Sequence, residues 1–236
     1  MEINKLKLNE NEMNSLSYNK AILLDKRSYC EFFVSLLKTN HLLLFSFVTK
    51  NDYNLRIIKI DLFFIIFITN YAVNALFFND NTMHKIYEDE GKFNLTYQIP
   101  QIIYSSLISG IFSTILKMLA LTENIVLEIK HQKEIKNIKS KKEKSYKIIN
   151  LKFIFFCITS IIMLTIFFYY IACFCAIYKN TQIHLIKDSM TSFGLSLLYP
   201  FITFLFPGIL RIPALKNKKN KREILYKISK FVQMII

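Results

Sequence analysis

Residues 153–178 read FIFFCITSIIMLTIFFYYIACFCAIY and contain no charged side chain. A helix needs about 20 predominantly apolar residues to cross the hydrocarbon core of a bilayer, which is about 30 Å thick. Three further stretches, residues 62–78, 99–121 and 190–210, are almost as free of charge. The sequence therefore predicts an all-α integral membrane helical bundle with four transmembrane helices.

The segments around these spans divide the chain into three predicted regions. Residues 1–56 form an N-terminal cytoplasmic or interfacial helical region, and residues 57–215 hold the four-helix transmembrane domain. Residues 216–236 form a basic cytoplasmic tail. Residues 1–20 are polar and lack the apolar core of a signal peptide, so we expect the first span to act as the insertion signal.

Two features of the N-terminal region bear on its structure. Asp25 is expected to cap the helix that follows it, because Asp is a preferred N-cap residue. Residues 41–48 are apolar but too few to span a membrane. Two interpretations stay open for them, an interfacial or re-entrant segment and a helix packed under the bundle.

The basic charge of the connecting segments alternates along the chain. Lys and Arg number nine in residues 1–61, two in 79–98, eight in 122–150, two in 179–189 and eight in 211–236. Cytoplasmic loops of membrane proteins carry the excess of Lys and Arg. The alternation predicts that both termini are cytoplasmic. The four spans predict a location in a membrane, either the plasma membrane or an endomembrane, and the sequence does not distinguish these two.

The net charge of +14 is placed beside the spans, and no groove-reading motif accompanies it. We therefore expect no nucleic-acid partner, and expect instead contact with anionic cytoplasmic lipids, each nearby Lys contributing about 1 kcal/mol. The basic linker 122–150 is interpreted either as a solvated helical hairpin between the second and third spans or as a docking arm for a protein. The tail offers a second such surface, and homo-oligomerisation is left open.

Polar side chains inside the predicted spans indicate helix interfaces or a polar pathway, because polar atoms are costly in hydrocarbon. Asn70 and Asn74 lie one turn apart in the first span and share a face. Ser106, Gly110 and Thr114 follow the small-xxx-small spacing that lets another helix approach closely. Bundle packing and an ion or solute pathway are the two interpretations.

The fourth span is the least regular, because Pro200 and Pro207 each remove a backbone donor and tend to kink a helix. Broken helices line the sites of many transporters and also occur in inert bundles. The sequence predicts a kinked fourth span without choosing between these two roles.

Candidate chemistry outside the spans is sparse. His84 and the acidic residues around it match neither a zinc site nor an EF-hand loop. There is no nucleophile elbow, phosphate-binding glycine loop or pair of intramembrane carboxylates. We expect no enzymatic activity, no cofactor and no metal, and Asn94, in the predicted non-cytoplasmic loop, is a candidate for N-glycosylation.

Six short stretches together resemble the C-terminal multi-pass region of large protist membrane proteins that have no assigned activity. They are residues 24–29 (LDKRSY), 78–89 (FNDNTMHKIYED), 97–102 (YQIPQI), 175–182 (CAIYKNTQ), 194–200 (GLSLLYP) and 207–213 (PGILRIP). The resemblance covers approximately residues 18–215. It implies either the membrane part of a protein with a larger extracellular portion or a truncated gene copy.

The favoured function is a non-enzymatic membrane anchor or assembly module that organises partners through helix packing and basic cytoplasmic surfaces. The alternative is a channel or transporter, with a polar pathway near Asn70, Asn74 and the kinked fourth span.

Overall fold

A computed structural model describes residues 8–49, 51–78, 80–88, 95–130, 135–178, 181–216 and 221–235. The described residues form helices and connecting turns without a β-strand, which confirms the all-α fold. In chain order the helices are α1 (Glu10–Ser15), α2 (Tyr18–Leu24), α3 (Tyr29–Asn40), α4 (Leu42–Phe47), α5 (Arg56–Leu76), α6 (Asp80–Glu88), α7 (Leu95–Ala120), α8 (Glu123–Lys130), α9 (Ile135–Ile177), α10 (Gln182–Thr203), α11 (Leu205–Lys216) and α12 (Lys221–Ile235).

Four stretches of the described chain are long and apolar enough to cross a membrane. They are Arg56–Leu76, Ile99–Ala120, Ser140–Ile177 and Gln182–Lys216, and each contains most or all of one predicted span. The chain is therefore compatible with a multi-pass membrane protein. The orientation of these stretches and the membrane that holds them stay predictions.

The chain folds into two compact units that divide it differently from the predicted regions. One unit consists of Met1–Asp52 together with Leu197–Ile236, and the other is Tyr53–Ser196. The boundary falls inside α10, so the fourth predicted span contributes to both units. The sequence placed all of 57–215 in one domain, because apolar content alone does not show which neighbours a helix will have.

Within Tyr53–Ser196 the central helix is α5. More than half of its most apolar window is buried (56%), against 11% for the corresponding window of α9. Helices α7 and α9 both pack against α5. Most apolar side chains of α9 therefore face outward, as expected for a helix that meets lipid or another protein.

In the other unit, α3 and α11 share an apolar core. It is formed by Phe32, Leu36, Leu37, Phe204 and Ile212. The cap of α3 is Ser28 rather than Asp25: Ser28 Oγ accepts the Glu31 N–H at 3.3 Å, and Glu31 Oε2 accepts the Ser28 N–H at 2.7 Å. The expectation for Asp25 is wrong because its carboxylate binds two arginines instead.

Gly208 lies at a tight contact between α11 and α3. A Cβ built at Gly208 would lie 2.7 Å from Cε2 of Tyr29. Tyr29 is fixed there, since its hydroxyl donates to the Leu205 carbonyl at 3.0 Å. Only glycine fits this position without moving the ring.

The fourth predicted span consists of two helices, with a break where the prolines predict irregularity. Helix α10 continues through Pro200 and ends at Thr203, Phe204 is a turn residue, and α11 begins at Leu205. Pro207 lies in the first turn of α11, where a missing backbone donor costs little.

Candidate functional site

A buried carboxylate lies among three helices of the unit Tyr53–Ser196. Asp188 projects from α10, Asn74 from α5 and Gln101 from α7. Asp188 and Asn74 are both 0% exposed. We call these three residues together with Ser189 the Asp188 cluster.

Neutral amides hold one oxygen of the carboxylate. Asn74 Nδ2 donates to Asp188 Oδ2 at 2.7 Å, and Gln101 Nε2 donates to the same oxygen at 2.9 Å. Asn74 Nδ2 also lies 3.1 Å from Ser189 Oγ, which accepts its second hydrogen. The carboxylate is therefore fixed in position without the help of a positive side chain at these contacts.

Three buried oxygens at this site have no hydrogen-bond donor among the described residues. They are Oδ1 of Asp188, Oδ1 of Asn74 and Oδ1 of Asn70, one turn earlier on α5. A buried acceptor without a donor costs about 1–3 kcal/mol, and more when it is charged. The site therefore contains three buried, electronegative oxygens whose hydrogen-bonding capacity is unused among the described residues.

Serine hydroxyls continue the polar contact between α7 and α10. Oγ of Ser105 and Oγ of Ser106 each lie 3.5 Å from Oγ of Ser192. Ser105 and Ser192 are both fully buried. Ser106, a predicted interface residue, therefore does take part in a helix interface.

The other two residues of the predicted small-residue face do not. Thr114 is exposed, and a Cβ built at Gly110 would meet nothing within 4 Å. The buried face of α7 is displaced from the predicted one and includes Ile102, Ser105 and Leu116. Close approach of another helix at Gly110 is therefore not made within the described chain and stays a prediction.

Asn70 and Asn74, which the sequence singled out, are both buried on α5, whereas sequence reasoning missed Asp188. The charge pattern of residues 179–189 placed Asp188 in a loop, whereas α10 already begins at Gln182. One signal was available: His184, Asp188 and Ser192 recur every four residues and so share one helix face. All three are buried.

The other unit contains a second buried ionic site, in which the charge of Asp25 is paired with arginine side chains. Arg211 is 1% exposed and bonds Asp25 at 2.9 Å, the Met13 carbonyl at 2.9 Å and the Asn14 carbonyl at 3.1 Å. Arg27 Nε donates to the other oxygen of Asp25 at 2.7 Å. Burial would raise the pKa of Asp25, but the hydrogen bonds and charges of the two arginines outweigh it and hold that pKa below its usual range.

This contrast separates a structural pair from a candidate site. The Arg211 guanidinium also lies 4.8 Å from the ring centres of Phe32 and of Tyr226, so its charge is enclosed by favourable contacts. Among the described residues, Asp188 forms no ion pair with a cation. The Asp188 cluster is therefore the stronger candidate for a function.

Residues Asp80–Glu88 of the predicted acidic loop form the helix α6. His84 Nε2 lies 3.2 Å from Oε1 of Glu88, and both side chains are largely exposed. The glycosylation candidate Asn94 lies outside the described residues, as do Asp89 and Glu90.

Comparisons with protein-family models, with curated proteins and with solved structures found no match to this chain. The resemblance to protist multi-pass regions therefore stays a prediction.

Proposed function

We propose that this protein is a non-enzymatic membrane anchor that holds a partner on a rigid basic arm. The observation that carries the proposal is α9, one uninterrupted helix of 43 residues. At about 1.5 Å per residue it is about 65 Å long, roughly twice the thickness of a bilayer core. Its apolar part begins at residue 153, so residues 135–152, the arm, would extend about 27 Å beyond the membrane.

The surface of the arm suits a protein partner with acidic groups. Lys142, Lys144 and Lys147 are exposed. Between them lie large exposed apolar groups, Tyr146 at 65% and Ile148 at 49% exposure. Lysines steer an acidic surface into place, and the apolar side chains supply area to bury.

The base of the arm is tied to its neighbours. Asn54 Oδ1 accepts the N–H of Thr122 at 2.9 Å and of Glu123 at 3.2 Å, which caps the start of α8. Lys152 Nζ donates to the Leu121 carbonyl at 2.8 Å, so α9 is joined to the end of α7. An arm fixed in this way would present its partner at a defined distance from the membrane.

The test is the native mass and composition of the protein extracted in mild detergent. We expect a complex with a second component, and expect the triple variant Lys142→Gln, Lys144→Gln, Lys147→Gln to lose it. The matched control removes three exposed lysines elsewhere, Lys20→Gln, Lys26→Gln and Lys216→Gln. A protein without any partner, with the same mass in all three forms, would contradict the proposal.

A channel or transporter is the second candidate, and the Asp188 cluster is the observation that favours it. Ionisable side chains within membrane helices commonly mark ion or proton pathways. Liposome flux tests this candidate with Asn74→Leu, which removes an amide bonded to Asp188, beside the control Thr114→Val at an exposed position. Altered flux in the first variant alone is expected; equal flux in both would speak against a pathway there.

A further inference from the structure

We infer that Asp188 and Asn74 bind one alkali-metal cation through their unpartnered side-chain oxygens. This inference goes beyond both proposed functions, because an ion can be held between α5 and α10 whether or not ions cross the protein. It concerns residues that lie in one unit and are bonded directly to each other.

The atoms at this site that lack a hydrogen-bond partner among the described residues are all of one kind. Asp188 Oδ1, Asn74 Oδ1 and Asn70 Oδ1 are all acceptors, and all are buried. Each side chain is at least nine-tenths buried, with exposures of 0%, 0% and 3% in that order. Buried acceptors need a donor or a positive charge, and a metal ion satisfies several oxygens together.

The Asp188 carboxylate also has no countercharge among the described residues. In the described chain, Asp188 makes hydrogen bonds only with the amides of Asn74 and Gln101, and it has no ion pair. A buried carboxylate without a cation is costly enough that proteins normally pair it or let it coordinate a metal. Arg211 and Arg27 supply that charge to Asp25 in the other unit, and no residue in the described part of the chain does the same for Asp188.

The geometry keeps one carboxylate oxygen available. The two amide donors both bond Oδ2 of Asp188, at 2.7 and 2.9 Å, so Oδ1 is left for another ligand. Asn74 Oδ1 belongs to the amide that makes the shorter of these bonds, so both free oxygens lie within one small cluster. Gln101 acts here as a positioning residue, because it orients the carboxylate without offering an oxygen to the ion in this arrangement.

The charge of the cluster selects the ion. Hard oxygen ligands suit Na⁺, K⁺, Mg²⁺ and Ca²⁺. Divalent ions are usually bound by more than one carboxylate or keep several waters, whereas the Asp188 cluster has a single carboxylate in a fully buried setting. A monovalent ion leaves the site neutral. A proton would also neutralise Asp188, but it could satisfy at most two of the free oxygens.

Equilibrium binding of radioactive ²²Na⁺ to the purified full chain in detergent at pH 8 is the direct test, with choline chloride holding the ionic strength constant. We expect one Na⁺ per chain, displaced by unlabelled Na⁺ and not by choline. An ion that binds only the folded protein, at about 100 times its dissociation constant, should raise the melting temperature by about 5–10 °C in a chain of this size.

The variants locate the ion. Asp188→Asn should abolish both the binding and the thermal shift, while Asp61→Asn, which changes a half-buried carboxylate on the same α5 that carries Asn74, should leave them unchanged. If Asp188→Asn does not fold, Asn74→Ala should weaken Na⁺ binding at least tenfold. The inference is overturned if the wild-type chain binds neither Na⁺ nor K⁺, if pH alone sets its stability, or if Asp188→Asn binds Na⁺ as the wild type does.

Discussion

Single residues show how this chain tolerates charge away from water. Arg211 is almost fully buried because Asp25 and two backbone carbonyls accept its N–H groups. Truncating one member of a buried pair typically costs about 3–5 kcal/mol, because the other charge is left without compensation. The stability of this unit should therefore depend on the ionisation of Asp25.

Acid is expected to weaken this unit through Asp25. The pKa of an unfolded Asp is about 3.9, and the two arginines hold the folded value lower. The stabilisation is therefore complete above about pH 5 and is lost as the pH falls below about 4 through the folded pKa. Scanning calorimetry between pH 5 and pH 3 should show a steeper fall in melting temperature for the wild type than for Asp25→Asn.

Glu223→Gln serves as the control for this experiment, because Glu223 makes only an exposed i,i+4 pair with Lys227. It should follow the wild-type pH dependence closely. Parallel curves for the wild type and Asp25→Asn would show that the pair contributes no pH-dependent stability.

Gly208 gives a second prediction at the residue scale. Gly208→Ala should lower the free energy of unfolding by about 1–3 kcal/mol, because its Cβ would overlap the fixed ring of Tyr29. Gly194→Ala is the matched control: no atom lies within 4 Å of its Cβ position in α10, so it should stabilise by about 0.5–1 kcal/mol. Equal melting temperatures for the two variants would mean that Tyr29 moves aside freely.

Among the elements, α3 and α4 have neighbours in the fold that could not be predicted from composition alone. Tyr29 bonds the Leu205 carbonyl, and His41 Nε2 lies 2.8 Å from the carbonyl of Leu197. Helix α3 thus runs antiparallel to the end of the fourth apolar stretch, Gln182–Lys216. For residues 41–48, the interfacial or re-entrant segment and the helix packed under the bundle both stay predictions.

The continuity of α9 is testable by the distance between two spin labels. Labels at the exposed positions Ser140 and Ile161 should be about 32 Å apart with a narrow distribution, as for one straight helix. The labels require a background in which the four free cysteines are replaced by serine, namely Cys30, Cys157, Cys173 and Cys175.

A variant in which α9 is broken serves as the comparison for the distance between the two labels. Asn150→Pro should broaden the distribution, since proline removes a backbone hydrogen bond inside the helix, whereas Asn150→Ala should not. A broad distribution in the unbroken chain would remove the rigid arm on which the anchor proposal depends.

For the whole molecule, the orientation predicted for the four spans in the membrane can be tested directly. Cysteines introduced at Glu88 and Ser140, both exposed, should be labelled by an impermeant reagent from opposite sides of the membrane. The positive-inside pattern places Ser140 on the cytoplasmic side. Labelling of both from the same side would rule out the four-span topology.

The apolar stretches were predictable because a span is a local property of composition and length. The Asp188 cluster was not, since Asn74 and Asp188 are 114 positions apart and a single sequence does not show which helices adjoin. The same holds for Asp25 and Arg211. Gly110 illustrates the converse: its spacing was suitable for a helix contact, but no neighbour within the described chain uses it.

The pairing of Asp25 with Arg211 has a consequence for synthesis of the protein in the cell. Asp25 emerges from the ribosome 186 residues before Arg211 does. At about 5–20 residues per second, the earlier residue waits about 9–37 s for its partner. The N-terminal helices therefore cannot complete their fold during translation of the intervening spans, and a ribosome that stops before Arg211 leaves them without the helix on which they close.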